Sequence, residues 1–472
     1  MALIRGDGVV RDAVKSRTAG NVLTATVIGL VTTVVYSIFS ALQWQSMTVP
    51  SWDLGIFTQL ARRYAAFEAP TVDIKGPGYN LLGDHFHPLL VLLGPVYAAF
   101  PHAFTLLVVQ NVLFGLAAAV IGYAAMASLG RRSGFLIGCA FAFSWGLQGA
   151  VEAQFHEIAF AVPLLAVSLT SLLRRQWLAS ALWAMPLVFV KEDLGLTVAA
   201  LGVVLAVRSR KPLGIWLASW GIAWFGIGSL IVLPALNPQD QWAYAGSIDL
   251  PGLLSDPAGL FHPDKGVTLM LLVLASGAIA LRSPLALILL PTLAWRFLSD
   301  NQGYWGHTWQ YSAVLMPILF CASLDAISRS RRSAKRWLAG FARRAPAIVL
   351  IVAVALLPQL PLAKLLHPAE SFPTQRAAAA NAALARIPDG AVIVSDVGLM
   401  NYLVDHSTVY WVGNANPVPD YIVVDLAAGG LPAEWTSVAV AARAMHPDAR
   451  FRTVFSRDGY EVAERAGAAS AG

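Results

Sequence analysis

Charge is scarce in this chain. Only 13% of its 472 residues are Asp, Glu, Lys or Arg, and 57% are hydrophobic. Soluble domains carry roughly 25% charged residues. A deficit of that size, spread over several long apolar runs, excludes an ordinary soluble protein and implies a polytopic membrane protein. Cysteine is nearly absent too. Cys139 and Cys321 both lie inside apolar runs, which excludes a disulfide framework and a cysteine-based metal site. Neither the G-x-G-x-x-G pattern of dinucleotide sites nor the H-E-x-x-H pattern of zinc proteases occurs. No internal repeat stands out. The net charge of +6 is not a nucleic-acid signal, because excess Lys and Arg in a membrane protein mark cytoplasmic loops.

The apolar runs give eleven expected spans, near 20–42, 104–129, 133–151, 157–173, 177–190, 194–207, 213–234, 266–281, 283–298, 311–328 and 345–362. A basic N-terminus (Arg5, Arg11, Lys15, Arg17) precedes the first, which is too long for a signal-peptide core and reads as an uncleaved span with its N-terminus inside. Counting from there, Arg131 and Arg132, Arg174 and Arg175, Arg208, Arg210 and Lys211, Arg282, and the cluster from Arg329 to Arg344 all fall on the cytoplasmic side. This agrees with the positive-inside rule. The run 88–100 is thirteen residues long and contains Pro95, so it reads as re-entrant or interfacial.

Acids, histidines and aromatics then collect on the opposite face. They lie in a long first loop (43–103), in "EAQFHE" (152–157), in "KED" (191–193), in the loop 235–265 and in "RFLSDNQGYWGHTWQY" (296–311). Ionisable residues at membrane depth are functional candidates by default. Asp53 heads the first loop and reads either as a general base or as the cap of a helix over 54–67. Asp84, His85 and His87 in "GDHFHP" suit a metal or a polar ligand. Glu152 and His156 are spaced to share one helix face. With His85 and His87 they form a candidate set for a divalent ion. Lys191 and Arg296 are candidates for a phosphate oxygen, with Glu192 or Asp193 as the acid that pairs with the lysine, and His307 and Tyr311 stand at helix ends nearby.

Residues 363–472 read as a small extracytoplasmic α/β domain, separate from a transmembrane domain over 1–362. Strands are expected at 391–396, 408–412 and 421–425, a helix at 374–387 and another near 439–446. A hairpin is expected around Asp458-Gly459, with a disordered tail from 466 on.

Several of these motifs, "DLGIFTQ" (53–59), "GDHFHP" (83–88), "FHEIAFAVPL" (155–164), "KEDLGL" (191–196) and "YSAVLMPILF" (311–320), occur in an order that resembles the predicted membrane protein family known as domain of unknown function 2079. That family is similar to the glycosyltransferase C superfamily. The resemblance implies a plasma-membrane enzyme that takes a sugar from a polyprenyl-phosphate donor and adds it to an extracytoplasmic glycan, lipid or protein acceptor, with Asp53 as general base. It implies no certain cofactor beyond the candidate divalent ion, and no nucleic-acid partner. Asp53 stands alone between Trp52 and Leu54, where the superfamily has two adjacent acids, and Gln310 stands where a histidine is expected before the tyrosine. A lipid or solute transporter, or a non-catalytic envelope scaffold, is the alternative.

Overall fold

A computed structural model describes residues 3–244, 246 and 261–467. The middle of the expected loop 235–265 and most of the tail lie outside the described residues, as do the side chains of the basic N-terminus. The chain folds as an α-helical bundle with a five-stranded sheet near its C-terminus. Six helical stretches among the described residues are long and apolar enough to cross a membrane: Thr18–Gln45, Phe104–Leu129, Arg131–Glu152, Leu213–Leu236, Gln310–Ser330 and Arg336–Gln359. Four further expected spans correspond to shorter apolar helices, Glu157–Leu173, Trp177–Phe189, Leu194–Ser209 and Pro284–Leu298. The remaining one, 266–281, corresponds to the helix Pro263–Ala275, which ends at Gly277 and Ala278 with positive φ.

Two boundaries differ from expectation. The first helix, α1 (Leu3–Gln45), begins well before residue 20. The last apolar helix begins at Arg336 rather than near 345 and takes Arg343 and Arg344 into its first turns. Long basic side chains tolerate this because their charged heads reach water while their stems stay on apolar surface.

The segment after α1 forms α2 (Asp53–Ala65), short 3-10 turns at Asp73–Lys75, Leu81–Gly83 and Pro88–Leu92, and α3 (Leu93–Ala99). The run 88–100 is thus a broken element too short to span, and it packs against α2. The bundle continues through α4 (Phe104–Leu129), α5 (Arg131–Ala142), α6 (Trp145–Glu152), α7 (Ala161–Leu173), α8 (Trp177–Ala184), α9 (Leu194–Ser209) and α10 (Leu213–Ile227). Helices α9 and α10 approach at backbone distance. A Cβ on Gly195 would lie 2.6 Å from the Gly221 carbonyl, and one on Gly221 only 2.3 Å from the Gly195 carbonyl. Small residues bring helices this close within a membrane, and here they fix the start of α9, which follows Lys191, Glu192 and Asp193.

The sheet has strand order β2-β1-β3-β5-β4, with β1 (Val392–Ser395), β2 (Thr408–Trp411), β3 (Tyr421–Asp425), β4 (Phe451–Arg457) and β5 (Tyr460–Arg465). β1 pairs in parallel with β2 and β3, and the rest is antiparallel. The expected hairpin is present, with Asp458 and Gly459 both at positive φ. Side chains alternate between faces. Val394, Ile422, Val424 and Ala463 meet the helix Val438–Met445 on one face. Ile393, Val409, Val423 and Val462 share a core on the other with Leu54, Phe57 and Leu60 of α2. Residues Leu54 through Ala61 are all buried. Helix α2 is therefore covered on every side along its first two turns, with the sheet as one of its walls.

Candidate functional site

The chain passes from α1 into α2 through Trp52, which holds the N-cap position with a helical backbone and no side-chain capping bond. Asp53 is the first residue of the helix, so it is not the cap. The Ser51 hydroxyl accepts the Asp53 N–H at 3.3 Å, which leaves the Asp53 carboxylate to face a cavity of about 390 Å³. Along with Asp53, the expected residues Asp84, His85, His87, His156, Lys191, Glu192 and Tyr311 line that cavity. Segments nearly 260 residues apart in sequence thus converge on one volume.

Within it the charges are paired. His156 Nε2 lies 3.5 Å from Asp53 Oδ2. The other ring nitrogen, Nδ1, is 3.2 Å from the Gln154 carbonyl, which can only accept, so Nδ1 carries a proton. A proton on Nε2 as well makes the ring an imidazolium facing the carboxylate. Burial pushes the Asp53 carboxyl up, but the charge and hydrogen bond of His156, helped by Ser51 and Lys75, outweigh it and hold Asp53 at about 2. Burial likewise lowers His156, and Asp53 more than offsets this, so its pKa is raised.

Three more pairs surround this one. Lys191 Nζ donates to Glu157 Oε1 at 2.9 Å. His85 Nδ1 meets Glu192 Oε1 at 2.8 Å, and the Phe86 N–H donates to Glu192 Oε2 at 2.9 Å. Burial raises the Glu192 carboxyl, but His85 and Lys191 hold it at about 2. Lys75 Nζ lies 3.2 Å from Asp84 Oδ2. Two titratable groups of the lining, Asp193 and His87, keep an unpartnered atom. Asp193 Oδ1 has no hydrogen-bond partner, and burial, opposed by Lys191 and reinforced by Glu192, pushes its carboxyl up to about 6. His87 is 1% exposed, its Nδ1 is also unpartnered, and burial lowers it to about 4, so it is neutral. Aromatic rings close the walls: Trp52, Trp242, Trp295, Tyr304 and Tyr244, with Tyr244 stacked on His85 at 4.5 Å and 9°.

The other expected residues lie elsewhere. Helix α6 ends at Glu152, and Gln154 takes a positive φ of 71° before His156, so the helical spacing assumed for Glu152 and His156 does not hold. Glu152 turns away and accepts from Lys364 Nζ at 2.5 Å. Arg296 is fully buried and does not reach the cavity. Its Nε donates to the Tyr304 carbonyl at 2.8 Å, Nη1 to Ser312 Oγ at 3.0 Å and Nη2 to the Gly306 carbonyl at 2.7 Å. It ties down the loop that carries Tyr304 and Tyr311. His307 packs against Trp145 outside the lining. Among the described residues, no group of three or more His, Cys, Asp and Glu gathers to hold a metal ion. The candidate set of His85, His87, Glu152 and His156 does not come together, because Glu152 is absent from the cavity lining and His85 and His156 are paired with separate acids. Conversely, Glu157 and Lys75 belong to the site without a role read from the sequence, and Asp193, expected as a possible partner of Lys191, lines it too. For Glu157 the available signal was adjacency, since it directly follows His156.

Residues 43–462 match the family described as predicted membrane protein DUF2079. The chain belongs to that family. The fold of this DUF2079 protein is similar to that of ArnT from Cupriavidus metallidurans. The ArnT crystal structure bound to undecaprenyl phosphate aligns with a TM-score of 0.58 at 13% identity, covering 94% of this chain and 98% of ArnT. The apo structure aligns with a TM-score of 0.52 at 13% identity, covering 93% and 97%. No curated protein matches the sequence. At that identity the likeness shows the fold alone, an ArnT-like helical membrane protein.

Proposed function

We propose that this DUF2079 protein is a membrane glycosyltransferase that moves a sugar from a polyprenyl-phosphate donor to a hydroxyl acceptor on the non-cytoplasmic side, with Asp53 as general base. The observation that carries the reading is a carboxylate paired with a buried histidine at 3.5 Å and facing a cavity of about 390 Å³, large enough for a sugar. The ArnT structure that contains undecaprenyl phosphate supports a polyprenyl lipid as the partner here. The basic clusters around Arg131, Arg174, Arg208 and Arg329 support an N-terminus inside and the sheet domain, from about residue 363, outside.

In this reading Asp53 accepts the proton of the acceptor hydroxyl as its oxygen attacks the anomeric carbon. The bond to the donor phosphate breaks on the opposite side, and the configuration inverts. Lys191 is the cation available to the departing phosphate; Arg296 is too deeply committed to do so. His156 holds Asp53 in place and in its ionised form. The aromatic walls take the sugar ring, and Asp84, His85, His87, Glu192 and Tyr311 bind donor or acceptor polar groups. No step depends on a metal.

The test supplies radiolabelled polyprenyl-phosphate sugars and membrane acceptors to the purified protein and compares it with Asp53→Asn. Transfer by the wild type that falls by at least about 100-fold in the variant is expected. Equal transfer by both, or none by either across a broad donor panel, counts against the reading.

A further inference from the structure

The C-terminal sheet touches the site through one helix and one ring. Gln59 of α2 donates from Nε2 to the Val409 carbonyl of β2 at 2.8 Å and accepts the Ile74 N–H at 3.1 Å. Arg62 donates to the Ser407 carbonyl at 2.9 Å. Asn414 donates to the Ile74 carbonyl at 2.9 Å, one residue before Lys75. At the N-terminus of α2, a Cβ on Gly55 would lie 2.6 Å from Asn401 Oδ1, so the glycine brings Asn401 close to the helix. Trp411, the last residue of β2, meets Trp52 edge-on with ring centroids 5.0 Å apart. Trp52 in turn carries Lys75 Nζ over its face, 5.2 Å from the centroid. The two residues that the sheet reaches through Trp52 are therefore Asp53, next in the chain, and Lys75.

We propose that the sheet is a positioning element of the site, in which Trp411 sets Trp52 and through it the places of the Lys75 ammonium and the Asp53 carboxylate. A ring at the start of a helix has leverage. If Trp52 shifts into space vacated by Trp411, the first turn of α2 and the cation resting on Trp52 shift with it. The contact is one of shape and cation–π attraction, so a smaller aromatic ring at position 411 keeps most of it and a methyl group does not. The catalytic meaning of this coupling rests on the glycosyltransferase reading, whereas the positional coupling does not.

The test uses the full chain in lipid nanodiscs and two readouts. The first is competitive amine labelling read by peptide mass spectrometry, with Lys75 as reporter and Lys364 and Lys211 as internal controls. Trp411→Ala is expected to raise Lys75 labelling several-fold and leave both controls unchanged. Trp411→Phe is expected to restore the wild-type value, and Arg452→Ala, on the far edge strand β4, to leave it unaltered. The second readout is transfer. Trp411→Ala is expected to lower kcat by about 10- to 100-fold, as a misplaced base does, with KM within about twofold. Unchanged Lys75 labelling in Trp411→Ala overturns the proposal. So does an equal rise at all three lysines, which marks general loosening, or an unchanged kcat beside a changed label. If the wild type transfers no donor, the glycosyltransferase reading fails while the labelling still decides the coupling.

Discussion

The bundle buries carboxylates beside cations at both of its ends. At one end Asp325 accepts from Arg208 Nη2 at 2.5 Å and Ser283 Oγ at 2.6 Å, with Arg329 Nη2 at 2.9 Å. At the other, past the opposite ends of the same helices, Asp53 faces a single imidazolium 3.5 Å away across the edge of a cavity. Asp325 has three donors gathered around it. Around Asp53, four ion pairs line an open volume, and Asp193 and His87 remain with unmet hydrogen-bonding capacity. Pairing and burial are common to both clusters. What separates a candidate site from a structural one is unused donor and acceptor capacity facing room for a ligand.

The strongest way to break that comparison is to neutralise each acid in turn. Asp53→Asn keeps the side chain's shape and removes the proposed base. Transfer is expected to fall by at least about 100-fold, with a stability loss of only about 1 kcal/mol, because the carboxylate is about a third exposed and has one ionic partner close by. Asp325→Asn is expected to do the opposite. Arg208 and Arg329 lose their shared counter-charge, which costs about 3 kcal/mol, the low end for breaking a buried pair because Arg329 is more than half exposed. Activity per folded molecule stays within about twofold. If Asp325→Asn lowers kcat as steeply as Asp53→Asn, the distinction fails.

A smaller effect is expected at Arg296, which bridges the two kinds of role. Arg296→Lys keeps a positive charge but cannot reach the Tyr304 and Gly306 carbonyls and Ser312 together. A loss of about 2 kcal/mol in stability is expected from the broken charged hydrogen bonds. KM for the donor should rise, because Tyr304 and Tyr311 lose their anchor. Unchanged stability would show that the loop does not depend on the guanidinium.

The sequence carried the class of fold openly. Hydrophobic runs and the sidedness of Arg and Lys are one-dimensional signals, and the α/β elements near the C-terminus announced themselves through alternation and the Asp458-Gly459 turn. Membership of the site was legible only in part. Asp53, His85, His156, Lys191 and Glu192 stood out because ionisable residues are rare in such a chain. Glu152 and Arg296 stood out for the same reason and lie elsewhere. Spacing cannot show that a helix ends at Glu152, nor that an arginine is consumed by carbonyls of its own loop. The sharing of one core between α2 and the sheet was invisible for a different reason. It joins residues about 350 apart, and a buried face reads the same whatever covers it.

The finest discrimination concerns pH. For the Asp53–His156 pair the signs are opposite. Asp53 is held down at about 2, so its contribution to stability is present above the unfolded value of about 3.9 and is lost as pH falls toward 2. His156 is raised, so its contribution is full below about 6.5 and is lost as pH rises through its folded value. The pair is thus complete between about pH 4 and 6.5. Asp193 behaves differently because it has no cation of its own. Pushed up to about 6, it is neutral below that pH and adds a negative charge above it. A glycosyl phosphodiester keeps one negative charge throughout this range, so any change in its affinity between pH 5 and 7 reports on the protein. Two like charges about 10 Å apart at an effective dielectric of about 20 repel by about 1.7 kcal/mol. Donor affinity is therefore expected to fall by about tenfold as pH rises from 5 to 7. Asp193→Asn should flatten that dependence. If the variant retains the fall, the titrating group is another one, and Asp193 belongs with Asp325 among the acids that serve the fold.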